Sequence, residues 1–310
     1  MTSSGTLNPT SAGEQRPDRT LTQKSDNSRR REFKDHVTRW GLLAAMILAM
    51  VPLVLIVALV ISEGAAVWSW EFFTTREFPP AREGGGYAAG FVGTGIIMLM
   101  AIAMSVPVGL AAAVYLVDYG KGWFATIIRF FTDVMTGIPS VFIGLAVYAI
   151  LVLGTGQVIS FGGFTAAVAI GIIMLPIIVR SSEEVLKTVS QDLRRGSFAL
   201  GARKWQTTTR VVLPAAAPGL TTSVMLAIAR GTGETAPLIL TAFGNINIVW
   251  AFFNVAIGAV PLQVYNGARQ PFDPGIERAW GGALALLVIV LVFTVVARYI
   301  GARATKAHRI

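Results

Sequence analysis

Between Asp133 and Arg180 the chain runs for 46 residues without a charged side chain. The pattern recurs along the sequence. Residues 40–61 are charge-free over 22 positions, residues 84–117 over 34 and residues 279–297 over 19, while residues 211–268 hold only Arg230 and Glu234. Of the whole chain 14% is charged, where a soluble chain carries about a quarter. A helix crossing a bilayer needs about 20 apolar residues. An ordinary soluble enzyme is therefore excluded, and the missing charge is explained by lipid.

The runs divide into helices. A signal peptide has an apolar run of only about 7–15 residues and a small-residue cleavage site. The first run is longer and no convincing A-x-A site follows it, so residues 40–62 read as an uncleaved first helix. One helix fits residues 90–116. The 46-residue run is too long for one, and Gly154-Thr155-Gly156 with Gly162-Gly163 split it into helices at 134–153 and 164–179. Residues 218–243 span. Residues 246–262, interrupted by Asn247, Asn254 and Gly258 and ending near Pro261, read as interfacial or re-entrant. Residues 279–297 complete an all-α integral membrane protein of six transmembrane helices.

Basic residues orient it. Segments 1–39, 118–133, 180–210 and 298–310 carry 21 of the 26 Lys and Arg, whereas 62–83, 154–163 and 244–278 carry 4. Loops rich in Lys and Arg stay in the cytoplasm, so both termini are expected there. The net charge of +9 follows from this bias; the bilayer is the partner it implies, and no nucleic acid is needed. Arg29-Arg30-Arg31 reads as a topology anchor, residues 1–39 as a disordered cytoplasmic tail and residues 301–310 as a second tail. With no cysteine, and with His36 and His308 both in polar tails, neither a metal site nor a catalytic triad has material to build on.

Two features point to function. In residues 180–210, Ser182-Glu183-Glu184 reads as a helix start, and Phe198, Leu200, Trp205, Val211 and Val212 alternate with Arg194, Arg195, Arg203, Lys204 and Arg210. This suits a segment lying on the membrane surface, or a docking element for a groove on a soluble partner. Second, Arg230 and Glu234 are one helical turn apart inside an apolar run. Each such charge costs about 2.5–3.5 kcal/mol at mid-membrane, so both should face protein or a water path. They are either a mutual salt bridge or an oxyanion path, in which the planar guanidinium fork makes paired charge-assisted bonds and Glu234 holds or releases the anion. Thr235 can offer its hydroxyl to the same anion or back to its own helix. At Gly137-Ile138-Pro139-Ser140 a proline kink is expected; the alternative is a break that frees backbone N–H groups toward an anion. Gly231-Thr232-Gly233-Glu234-Thr235-Ala236 matches the dinucleotide fingerprint but lacks the preceding strand, and no phosphate-binding loop of the G-x-x-x-x-G-K-[ST] type occurs.

Arg195-Gly196-Ser197, then Gly201-Ala202-Arg203-Lys204-Trp205 and Val211-Val212-Leu213-Pro214, have the spacing of the EAA loop and resemble permease subunits of bacterial ABC importers. The run from Ala229 through Arg230-Gly231-Thr232-Gly233-Glu234-Thr235-Ala236-Pro237 to Leu238 resembles the signature of phosphate importers, and its Thr-Ala-Pro is closer to their A-type than their C-type permease. Thr136-Gly137-Ile138-Pro139-Ser140-Val141-Phe142 is similar to their third-helix motif. The likeness covers residues 90–300, with a coupling loop at 180–214. It implies a type I ABC importer permease fold in a bacterial inner membrane. It also implies a heterodimer with a C-type permease, an ABC ATPase dimer holding ATP and Mg, and an extracytoplasmic phosphate-binding protein. This chain would bind no cofactor and have no catalytic residue. Coupling would fall to Arg195, Gly196, Ser197, Gly201, Ala202, Trp205, Leu213 and Pro214, and the substrate path to Arg230, Glu234, Thr235, Pro139 and Ser140. The family's loop glutamate is Arg195 here, its two alanines are Gly196 and Ser197, and a frequent upstream proline is Ser190. A molybdate or sulfate importer, and an ion-coupled transporter with Glu234 as proton carrier, are the alternatives.

Overall fold

Long helices dominate the computed structural model, which describes residues 26–307. The first, α1 (Asp26–Val67), starts well before the first charge-free run. Residues 26–39, where composition suggests a disordered tail, are therefore helical. Arg, Lys and Glu are good helix formers, and lengthening an existing helix needs no new nucleus. The rest of that tail, residues 1–25, lies outside the described residues. Two compact units meet within α1, one ending at Ile56 and the other beginning at Val57. Among its described residues the first unit is the helix alone.

The second unit contains the remaining helices. They are α2 (Trp70–Thr74), α3 (Ala88–Val114), α4 (Trp123–Gly137), α5 (Ser140–Val147), α6 (Gly163–Thr188), α7 (Gln191–Ala199), α8 (Lys204–Thr207), α9 (Leu213–Thr232), α10 (Ala236–Thr241), α11 (Val260–Gly267) and α12 (Asp273–Ala307). Wider π-helical turns extend α3 through Tyr115–Tyr119 and α5 through Tyr148–Leu153, and join α8 to α9 through Thr208–Val212. Among the described residues five helices are long and apolar enough to cross a membrane: Arg31–Val67, Ala88–Tyr119, Gly163–Thr188, Lys204–Thr232 and Asp273–Val296. Trp123–Gly137 with Ser140–Leu153 makes a sixth if the pair, bent by 109°, is one span.

The core forms where α3 and α9 pack on α6, with Ile97, Ala101, Ile170, Met174, Ile178 and Ala227 buried together. Polar side chains inside it turn back on their own helices. The Ser105 hydroxyl donates to the Ala101 carbonyl at 2.7 Å and the Thr232 hydroxyl to the Ile228 carbonyl at 2.8 Å, so neither leaves an unpaired group in a low-dielectric interior.

Two expectations are corrected here. Helix α6 continues to Thr188 where the apolar pattern stops at 179, because Glu183, buried within it, is neutralised by Lys187 Nζ at 2.7 Å and Arg129 Nε at 3.1 Å. Ser182 is thus mid-helix, and the cap is Ser190, whose hydroxyl accepts from Asp192 N at 3.2 Å at the start of α7. Residues 246–259, within the stretch read as interfacial or re-entrant, lie outside any helix. They are irregular chain pinned over the α5–α6 turn, with Asn254 accepting from Ser160 N at 2.7 Å and donating to the Val158 carbonyl at 3.0 Å. Residues 260–267 are the short buried helix α11.

At that same end of the bundle Arg278 of α12 is buried and staples residues 78–84. Its Nη1 donates to the carbonyls of Arg82 (2.7 Å) and Gly84 (3.0 Å), its Nη2 to those of Phe78 (3.3 Å) and Pro79 (3.2 Å). Beside it, Glu77 accepts from Gln263 Nε2 at 2.9 Å. Burial pushes the Glu77 carboxyl above the usual range, against the lowering effect of that bond and of the Arg278 charge.

Candidate functional site

Two broken helices cross in the second unit. The first break separates α4 from α5. Ile138, which precedes Pro139, is driven out of helical geometry into extended backbone (φ −76°, ψ 129°), as the proline ring demands of its predecessor. The result is a break rather than the kink expected from the sequence. Pro139 caps α5, its carbonyl accepting from Phe142 N at 3.0 Å, and Ser140 begins the helix. The second break is at Gly233, where α9 ends and residues 234–235 lead into α10. A continuous span over 218–243 is therefore replaced by a helix that stops two residues after Arg230, at Thr232. The two second halves meet without intervening side chains: a methyl group placed on Gly144 of α5 would lie 2.6 Å from Cα of Pro237 in α10. Only glycine permits that approach.

Arg230 sits in the last turn of α9, where the helix dipole favours a cation. Its Nε donates to Glu234 Oε1 at 2.6 Å across the break. The arginine side chain is 62% exposed and the glutamate 11%. Among the described residues, Nη1 and Nη2 of Arg230 donate to no other group of the chain. Arg230 lines a cavity of about 130 Å³ together with Thr136, Ser140, Ile143, Ile173 and Pro176. The two readings of the pair are thus compatible: Glu234 occupies one edge of the guanidinium, and the Nη pair remains open for a bidentate anion. Ser140 shares the cavity with Arg230. Pro139 and Thr235 sit at the two breaks without lining it, and the Thr235 side chain caps nothing.

At the other end of α9 lies the loop. Helices α7 and α8 are joined through Gly201, whose φ of +81° is the left-handed region that favours glycine, and the Ser197 and Thr207 hydroxyls are 2.9 Å apart. Arg195, Gly196, Gly201 and Trp205 are exposed, alongside Leu193, Phe198 and Leu200, the last 90% exposed. Ser197 and Ala202 are half-buried. Leu213 and Pro214 are part of the scaffold. Leu213 packs on a cluster with Ala113, Leu186 and Val212, and Pro214 lies at the start of α9, just after the π-helical turn Thr208–Val212.

One group at this end is absent from the sequence reading. Asp118, in the turn that closes α3, forms an ion pair with Arg194 of α7 and accepts from the Thr208 hydroxyl at 2.5 Å. Its signal was present in the sequence, since a carboxylate at a helix C-terminus opposes the dipole and calls for a cation.

Bundled apolar helices with two helix breaks near Arg230, and an exposed two-helix loop at one end, define a permease subunit of the type I ABC importer class. Residues 105–306 match the family described as "Binding-protein-dependent transport system inner membrane component". The chain belongs to that family, and within it to the phosphate transport system permease proteins PstA. It is 34% identical over 284 residues to PstA 1 of Mycobacterium tuberculosis H37Rv, covering 91% of this chain and 92% of that protein. It is 38% identical over 239 residues to PstA of Xylella fastidiosa Temecula1, covering 77% and 82%. The fold is shared with a chain in the crystal structure of a bacterial alginate ABC transporter in complex with alginate pentasaccharide-bound periplasmic protein. That match has a TM-score of 0.56 at 13% identity, covering 88% of this chain and 98% of that one.

Proposed function

We propose that the chain is the membrane-crossing permease subunit of an ATP-driven importer of inorganic phosphate, working by alternating access in the bacterial inner membrane with both termini in the cytoplasm. One observation carries this reading. Arg230 is held by Glu234 through Nε, its Nη atoms donate to no group among the described residues, and it lines a cavity beside the α4–α5 break. The names of the phosphate-transport relatives support the substrate.

The guanidinium offers two parallel charge-assisted bonds to a phosphate that would otherwise cross a low-dielectric core unaided. Glu234 neutralises part of the arginine's charge, so the anion is attracted without being trapped. Trp205 and Arg230 lie 25 positions apart on the Lys204–Thr232 helix, about 38 Å at 1.5 Å per residue. A push on the loop is therefore delivered along one helix to the path. The push comes from an ABC ATPase dimer, which holds ATP and Mg, closing against the exposed face of α7 and α8. A C-type permease completes the path and an extracytoplasmic phosphate-binding protein delivers the ion. Because a partner shifts a two-state equilibrium only by binding its states unequally, the ATPase must grip the loop differently in its open and closed forms.

The test is uptake by proteoliposomes holding the purified complex, with phosphate, arsenate, sulfate and molybdate in competition. ATP-dependent phosphate uptake blocked by arsenate alone is expected. Uptake without the ATPase, or equal displacement by sulfate or molybdate, refutes the proposal.

A further inference from the structure

We infer that Asp118 is a coupling residue: together with Arg194 and Thr208 it clamps the end of α3 to the loop, so that α3 moves when the loop is pushed. The inference rests on the transport reading above and extends it to a helix that the loop does not adjoin in sequence.

The loop is continuous with α6 on one side and α9 on the other, so both follow it directly. Asp118, in the turn that closes α3, lies 76 residues before Arg194, and any coupling to α3 has to be made by side chains. The two oxygens of Asp118 take different limbs of the loop. Oδ1 pairs with Arg194 Nη1 on α7, and Oδ2 accepts from Thr208 just beyond α8. Those limbs are tied together by the Ser197–Thr207 contact, so the clamp grips a closed unit. Next to Asp118, the Tyr119 ring receives the Lys204 ammonium 4.5 Å from its centroid. Arg194 is anchored in turn by Nη2, which donates to the Leu186 carbonyl at 3.2 Å.

Burial and charge make this more than a surface ion pair. The side chains of Arg194 and Asp118 are 13% and 4% exposed, so solvent screens them little. From Leu193 to Gly233 the chain contains no Asp or Glu, although residues 193–210 carry five cations. Residues 193–210 thus hold no carboxylate of their own, and the one that Arg194 pairs with comes from the end of α3. The end of α3 is also gripped from α4, whose Arg129 Nη2 donates to the Leu116 carbonyl at 3.2 Å, which gives the clamp a firm seat.

The experiment measures phosphate taken up per ATP hydrolysed by the reconstituted complex, together with recovery of the partner subunits on pull-down. Asp118→Ala is expected to lower the ratio about tenfold with recovery unchanged, and Thr208→Val, which removes one bond, two- to fivefold. Asp118→Glu is expected to restore most of the ratio. An unchanged ratio in Asp118→Ala and Thr208→Val, or lower recovery at an unchanged ratio, overturns the clamp. Absence of ATP-driven uptake in the unaltered complex refutes the transport reading itself, and with it the basis of the clamp.

Discussion

Replacing Arg230 by lysine keeps the charge and removes the geometry, and the structure gives the size of the effect. The guanidinium spends Nε on Glu234 at 2.6 Å, and among the described residues Nη1 and Nη2 engage no group. It can therefore hold the glutamate and a bidentate anion together. An ammonium has one nitrogen from which all donors radiate, so a lysine satisfying Glu234 presents the anion with at most one well-aimed bond. Losing one hydrogen bond to a charged group is worth about 1.5–3 kcal/mol. At about 1.4 kcal/mol per decade, phosphate uptake falls roughly ten- to hundredfold. The substituted side chain is 62% exposed in the lone chain, so the chain's own fold should be untouched. The assay is initial phosphate uptake by proteoliposomes at saturating ATP, normalised to assembled complex. Arg230→Met, which removes the charge as well, should be lower still. Unchanged uptake in Arg230→Lys would mean that the pair only holds α9 to the segment beyond its end, and the oxyanion argument would fail.

At Gly201, φ is +81° and nothing lies within 4 Å of an added Cβ, so backbone strain alone decides the outcome. Gly201→Val should strain the loop by about 1–2 kcal/mol and abolish uptake, while Gly201→Asn, which tolerates the left-handed region, keeps it; equal activity of the two refutes this. Arg278→Met strands four carbonyls and should lower the stability of the solubilised protein by at least about 2 kcal/mol, read from its thermal midpoint. An unchanged midpoint would contradict the staple. Since burial raises the Glu77 pKa in the folded state, Glu77 favours folding most fully below the ordinary carboxylate pKa, and this contribution is lost as pH rises through the raised value. Glu77→Gln, which still accepts from Gln263, should flatten the midpoint-against-pH curve in that window; parallel curves refute the shift.

The spans were legible because a charge-free run is a property of one stretch read alone, and lipid imposes a single length on it. Ion pairs between distant segments carry no such mark. Arg194 looks like one cation among five until Asp118, 76 residues away, is folded against it. The breaks lie between these cases. The rule that a residue before proline avoids helix applied to Ile138 from the start, but whether Pro139 bends or breaks a membrane helix depends on what receives the freed groups. Here α10 lies on α5 at Gly144, and the unwound residues 234–235 connect it to α9, an arrangement no single segment encodes. Non-helical backbone at membrane depth survives only where protein or water, and not hydrocarbon, satisfies it. The α4–α5 break beside the cavity that Arg230 lines is therefore a place where protein or water has to satisfy the backbone. The features that composition could not locate are the ones on which the proposed path rests.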